Sequence, residues 1–194
     1  MRTVRLTTAA ALVRWLVAQR TIVDGREAPL FAGVYAIFGH GNVTSLGLAL
    51  EAVQEDLPTW RGQSEEGMAL AAVAFAKARR RRQVMVATSS IGPGATNMVT
   101  AAACAHANRL PLLILSGDTF ASRIPDPALQ QIEDFGTPST TVNDAFRPVT
   151  RYWDRIVKPE QLAHSLPQVV ATLLDPADCG PAFLGLPQDV QAES

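Results

Sequence analysis

Cysteine is scarce in this 194-residue sequence, aromatics make up only 6% of it, and no apolar run is long enough for a membrane helix. Two thiols, Cys104 and Cys179, stand far apart in apolar surroundings, which argues for a pair of reduced, buried residues and a cytoplasmic setting rather than a disulfide framework. About 18 uninterrupted apolar residues are needed to span a bilayer, and no stretch reaches that, so no membrane partner is expected. The opening MRTVRLTTAAALVRWLVAQR has a charged start and an apolar run. Arg14 interrupts the run and no small-residue cleavage site follows, so it reads as an amphipathic helix and not as a signal segment.

Other absences narrow the chemistry. There is no G-x-S-x-G elbow, no H-E-x-x-H and no Walker loop, and the three histidines have no metal-ligand spacing. Gly39-His40-Gly41 follows a strand pattern, but Thr44 stands where a dinucleotide fingerprint needs its third glycine. The net charge is -1, and the only charge run is Arg79 to Arg82. It closes a helical pattern, where cations complement the negative end of the helix dipole. Nucleic acid is therefore not an expected partner.

What is present is alternation. Helices are predicted at Thr8–Gln19 (capped by Thr7 or Thr8), Leu46–Val53, Glu66–Ala78, Ala95–Ala107 and Glu160–Leu174. Short apolar strands are predicted at Gly33–Phe38, Gln83–Thr88, Leu112–Leu115 and Pro181–Leu186. The segment Asp24–Glu27 reads as a loop, and Thr119–Asp154 as an irregular region with one short helix near Pro127–Asp134. Short strands between helices of ten residues or more indicate an α/β domain with an open, mainly parallel sheet and helices on both faces. One such domain accounts for residues 1–194.

In open parallel sheets ligands bind where strands end and helices begin. Three junctions qualify: Phe38 to Val43, Thr88 to Asn97, and Leu115 to Phe120. His40 sits between two glycines at the first, a place for a ligand contact or for a plain solvated turn histidine. Gly92-Pro93-Gly94 at the second builds either a ligand cradle or an ordinary strand-to-helix turn. Asp118 follows Gly117, but no second glycine completes a Gly-Asp-Gly. Acidic residues in a first helical turn, as in Gln63-Ser64-Glu65-Glu66, usually just complement the dipole. The apolar helix behind Glu65 offers the other reading, a partly desolvated carboxyl able to share a proton.

Taken in register, IFGHGN (37–42), QSEEGMALAAVAFAKA (63–78), TSSIGPGATNMVTAAACA (88–105), LPLLILSGD (110–118) and GPAFLGLPQDVQ (180–191) resemble one family. It is the N-terminal, pyrimidine-binding domain of the thiamine-diphosphate (ThDP) enzymes related to acetolactate synthase and pyruvate oxidase. The resemblance covers nearly the whole chain. It implies that Glu65 is the catalytic carboxyl, hydrogen-bonding N1′ of the aminopyrimidine to stabilise its imino tautomer. Gly39, His40, Pro93 and Asn97 fall at cofactor-side positions. Gly41 stands where many members have proline, Glu66 where relatives often have glutamine, and Leu70 where many carry histidine, so no role passes to position 70. The family's Mg²⁺ and diphosphate are held by another domain, which implies that residues 1–194 belong to a longer polypeptide with middle and diphosphate-binding domains.

The segments MRTVRLTTAAALVRWL, QQIEDF, NDAFRPVTRYWDRI and DPAD resemble a branch of this family that acts in myo-inositol catabolism. The implied reaction opens a six-membered cyclic diketone by C–C cleavage with water, giving 5-deoxyglucuronate, with His40 and the 119–154 region as candidates for facing the substrate. Another ThDP lyase or synthase, or a non-enzymatic α/β ligand-binding domain, are the alternatives. Family members share the cofactor between subunits, which implies a homo-oligomer, at least a dimer. The helices at 66–78 and 95–107 would flank the interface, with Ile91 and Met68 near an exposed apolar rim.

Overall fold

A computed structural model describes residues 3–124, 129, 132, 136, 137 and 139–194. The short helix expected near Pro127–Asp134 lies outside the described residues. The chain opens with α1 (Thr8–Ala18), whose N-cap Thr7 accepts a hydrogen bond from the Ala10 N–H. A hairpin follows, β1 (Arg20–Val23) paired antiparallel with β2 (Arg26–Pro29). Asp24 and Gly25, both at positive φ, form its two-residue turn, so the expected loop at Asp24–Glu27 is corrected to a hairpin tip and second strand.

Six parallel strands then make the main sheet: β3 (Phe31–Ile37), β4 (Thr59–Arg61), β5 (Val84–Ser89), β6 (Leu112–Asp118), β7 (Tyr152–Arg155) and β8 (Pro181–Pro187), in the spatial order β4-β3-β5-β6-β8-β7. The connection from β3 runs outward to β4, while that from β5 runs the other way to β6. The chain thus reverses direction between β3 and β5, and such a switch point opens a crevice beyond the strands' carboxyl ends.

Side-chain alternation sorts the central strands onto two cores. Val84, Val86, Leu113 and Leu115 join the α1 side with α6 (Leu162–Leu174). Met85, Ala87, Leu112 and Ile114 face α3 (Glu65–Ala78) and α5 (Val99–Asn108). Ala69, Ala72, Ala101, Ala102 and Ala105 are fully buried there, and side chains this small let two helices lie close on the sheet and on each other. The expected helix at Leu46–Val53 is a π-helical turn, Val43–Gly47, running into the four-residue α2 (Leu48–Glu51). The expected Ala95–Ala107 helix is split into α4 (Pro93–Thr96) and α5. Both cysteines are free; Cys179 is buried, but Cys104 is only half-buried. Among the described residues no helix is long and apolar enough to cross a membrane.

The arginine run does not extend α3. The helix ends at Ala78, the Arg81 N–H reaches the Ala76 carbonyl at 2.8 Å, and Arg80 and Arg81 take φ of 53° and 64°. That is a Schellman-type stop with arginine where glycine usually stands. Arg80→Gly relieves the left-handed strain at some cost in unfolded-chain entropy, and should stabilise the chain by about 0.5–1 kcal/mol in urea unfolding.

At the far edge, Arg155 on β7 joins three pieces of chain. Its Nε donates to the fully buried Asp118 at 2.7 Å, and its Nη2 to Thr141 Oγ1 at 2.6 Å and Asp144 at 2.9 Å. Asp144 and Thr141 cap the 3₁₀ segment Val142–Val149, whose Arg147 lies 3.6 Å over the Trp153 ring. Burial pushes the Asp144 carboxyl up, but the Thr141 N–H and the guanidinium groups of Arg147 and Arg155 outweigh it and hold the carboxyl below its ordinary range. A carboxyl lowered on folding stabilises the fold above its unfolded pKa, and that stabilisation is lost as pH falls through the folded value. Asp144→Asn should cost about 2 kcal/mol at pH 7 and less once the pH falls below the ordinary carboxylate range, so the mutant's stability–pH curve is flatter on the acid side. Chemical unfolding at a series of pH values checks this.

Candidate functional site

Four strand ends meet at the switch point, tied together largely by backbone groups. Asn42, 1% exposed, accepts from the Gly39 N–H at 3.1 Å and donates Nδ2 to the Ser89 carbonyl at 2.9 Å, with Thr88 Oγ1 at 3.3 Å. It staples the loop after β3 to the end of β5. Gln191, equally buried in α7 (Gln188–Gln191), donates Nε2 to the carbonyls of Gly41 and Leu186, both at 2.8 Å. The end of β8 is bound to the same loop. Gly117 on β6 completes the junction: a Cβ there would stand 3.1 Å from the Gly41 carbonyl oxygen and 3.2 Å from the Ile91 nitrogen. Glycine lets these backbones approach without the shift of a few tenths of an ångström that a side chain would require.

Glu65 enters from the neighbouring side. Ser64 caps α3 by accepting from the Gly67 N–H at 3.1 Å, which fixes the first turn and places Glu65 half-buried and Glu66 exposed. The Asn97 Nδ2, just past α4, donates to Glu65 Oε2 at 3.2 Å. The other oxygen, Oε1, lies 3.2 Å from where a Cβ on Gly94 would stand. The turn beneath is held by Gly92 at φ 71°, with Pro93 as the first helical residue.

The structure therefore gathers Glu65, Pro93 and Asn97 into one corner. Gly39 and His40 occupy the adjoining loop, with Gly39 against Ser90, where a Cβ would meet the Ser90 Oγ at 2.6 Å. His40 Nε2 and Ser90 Oγ are buried and have no hydrogen-bond partner. Buried polar atoms are rarely left so, and such atoms in a strand-end loop suit a ligand that brings its own donors and acceptors. Such a corner can hold a flat nitrogen heterocycle, with the carboxyl sharing a proton with a ring nitrogen. Ile91 and Met68, expected near an exposed rim, are instead 1% and 4% exposed, because each packs under its loop. Leu70 is half-buried on α3.

Asn42, Ser90 and Gln191 were not singled out by sequence reasoning. The Gly-Pro-Gly-Ala-Thr-Asn string did carry Gly94; nothing local marks Asn42 or Gln191, whose partners lie up to 150 residues away. Asp118 has no ligand-binding look here: its carboxylate faces Arg155 and the Thr119 N–H. Among the described residues no group of three or more His, Cys, Asp or Glu could hold a metal ion.

Residues 30–137, more than half of the chain, match the sequence profile described as "Thiamine pyrophosphate enzyme, N-terminal TPP binding domain". All 194 residues align at 53% identity with a 3D-(3,5/4)-trihydroxycyclohexane-1,2-dione hydrolase of Geobacillus thermodenitrificans. Proteins of the same name from Bacillus cereus and Bacillus thuringiensis match at 52%. The chain spans 30% of the length of each of these relatives. The junction geometry and the match across β3, α3, β5, α5 and β6 agree, and the chain belongs to the family of N-terminal, TPP-binding domains of thiamine pyrophosphate enzymes.

Proposed function

We propose that this chain is the pyrimidine-activating part of a longer ThDP-dependent enzyme that hydrolyses 3D-(3,5/4)-trihydroxycyclohexane-1,2-dione, a cyclic diketone, to 5-deoxyglucuronate. The observation that carries the reading is identity of 52–53% over all 194 residues with hydrolases of that name, which extends well beyond the shared cofactor motifs. When bound, ThDP (thiamine pyrophosphate) supplies an acidic ring carbon whose conjugate base attacks a carbonyl. The residues of this chain bind the pyrimidine ring, orient it and manage its proton.

Glu65 holds or releases a proton at N1′ of the aminopyrimidine, as a carboxyl in a half-dry corner can. Pro93 and Gly94 form the floor under the ring, Asn97 lies beside the carboxyl, and Gly39 and His40 bound the other side. The cradle above Gly94 and the two unpartnered buried polar atoms support this fit. Mg²⁺ and the diphosphate belong, in this reading, to a further domain. The enzyme acts in the cytoplasm, in myo-inositol catabolism, as a homo-oligomer in which the outward sides of α3 and α5 meet a neighbour. Those sides carry small residues such as Ala71, Ala74 and Ala107, all exposed in this chain.

In the full-length enzyme, Glu65→Gln should keep the fold and lose about 10²–10⁴-fold in kcat, since an amide cannot share the N1′ proton. Glu66→Gln, exposed on the same turn, should stay within about threefold. Steady-state turnover of the diketone separates the two; wild-type turnover by Glu65→Gln would refute the role, and turnover of pyruvate in place of the diketone would point to a synthase. Residues 1–194 alone, given excess ThDP and Mg²⁺, should open no ring. Tight, Mg²⁺-dependent binding of ThDP to that piece in calorimetry would contradict the placement of the diphosphate site.

A further inference from the structure

We propose that Asn97 is a positioning residue, acting on the cofactor through Glu65: it occupies Oε2 and so makes Oε1, above Gly94, the oxygen that meets the pyrimidine. The inference rests on Glu65 being the activating carboxyl. Three facts lead to it. The Asn97 Nδ2 donates to Oε2 at 3.2 Å. Oε1 lies over Gly94, 3.2 Å from the point a Cβ would fill. And the backbone that carries Asn97 is itself fixed, because the Asn97 N–H and the Thr96 hydroxyl both donate to the Pro93 carbonyl, at 3.2 and 3.0 Å.

A glutamate on a first helical turn has three free torsions, and a half-buried one samples several rotamers unless something holds it. The Asn97 amide turns its NH₂ toward Glu65, because its own oxygen would face another acceptor. With Oε2 already accepting from Asn97, a shared proton is favoured on Oε1. Glycine at 94 keeps that oxygen clear on its open side. Asn97 and Gly94 thus act together, one fixing an oxygen and the other leaving room for its twin.

The test uses the full-length enzyme and the rate at which the C2 proton of bound ThDP exchanges in D₂O, which reads activation without any substrate. Asn97→Ala should slow exchange about 10–100-fold, with the ThDP dissociation constant and the KM for the diketone within about threefold of wild type. Asn97→Ser retains a short donor and should recover part of the loss. Asn97→Asp, isosteric but without the donor, should be at least as slow as alanine. Gly94→Ala should slow exchange by crowding Oε1, whereas Thr96→Ala, which removes only the Pro93 hydroxyl bond, should be mild.

Exchange in Asn97→Ala and Asn97→Asp within about twofold of wild type would overturn the proposal. So would slowing that occurs only in step with lost ThDP affinity, since that is what a purely structural residue does. Glu65→Gln serves as the reference: if it exchanges at the wild-type rate, the reading of Glu65 falls first. If Asn97→Ala slows exchange while the wild type leaves the diketone intact, the positioning role stands and the substrate is reassigned.

Discussion

Backbone meets backbone at the carboxyl edge of the sheet, and the loops that carry Gly39, His40 and the Gly92–Gly94 turn depend on that contact. Gly41, in the loop after β3, and Gly117, on β6, come from parts of the sheet that are not neighbours, yet a Cβ at Gly117 would stand 3.1 Å from the Gly41 carbonyl oxygen, close enough that the backbone would have to shift by a few tenths of an ångström. Close approach leaves polar main-chain groups buried, and these need partners. Asn42 and Gln191 provide them, each with its side chain 1% exposed and each bridging two strand ends. Both amide donors of the bridge lie within 3 Å of carbonyls, although the buried Gln191 Oε1 has no partner of its own. The loops it fixes are the ones that carry Gly39, His40, Ser90 and the Gly92–Gly94 turn.

On this fixed edge the two sides of the sheet differ in character. Toward β3 and β5 the covering helices are lined with alanine, so α3 sits close to the sheet and delivers Glu65 directly to the strand ends. Edge strand β4 holds the approach to α3, with the Trp60 ring over Gly33 and Gly62 against Met68. Toward β7 the edge is held by charge: Arg155 collects Asp118, Thr141 and Asp144 while Trp153 stacks on Phe183 and under Arg147. Buried charges are tolerable only with such complete pairing, and their removal one at a time leaves the others exposed to the penalty. Asp189 performs a similar service for the start of the 119–141 segment, accepting from the Ala121 and Ser122 N–H groups at 2.9 Å.

Much of this was legible in the sequence where the signal was local. The apolar strands at 84, 112 and 181 and the helices α1, α3 and α6 follow from periodicity and caps, and Thr7 and Ser64 act as caps as their residue types suggest. The corner of Glu65, Pro93 and Asn97 followed from motifs in register. The hairpin of β1 and β2 was missed although Asp24-Gly25, directly after the β-branched run Thr21-Ile22-Val23, carries a turn signal; its polar flank masked it. Strand β4 is a short, mostly exposed edge and β7 a short, half-buried one, and three or four residues such as Thr59-Trp60-Arg61 offer no period to read. Asn42, Gln191 and Arg155 were illegible for a different reason. Their partners are distant in sequence, and a polar residue that will be buried looks like any other until the fold brings its partner.

Glu65, at the switch point between β3 and β5, is proposed as the protein group that meets the pyrimidine of the cofactor. A crystal structure of the longer enzyme proposed above, with ThDP bound, is the decisive measurement. The aminopyrimidine is expected on the Pro93–Gly94 floor, with N1′ within about 2.6–3.2 Å of Glu65 Oε1 and with Asn97 still on Oε2. A pyrimidine ring bound away from this corner, with Glu65 facing solvent, would contradict it.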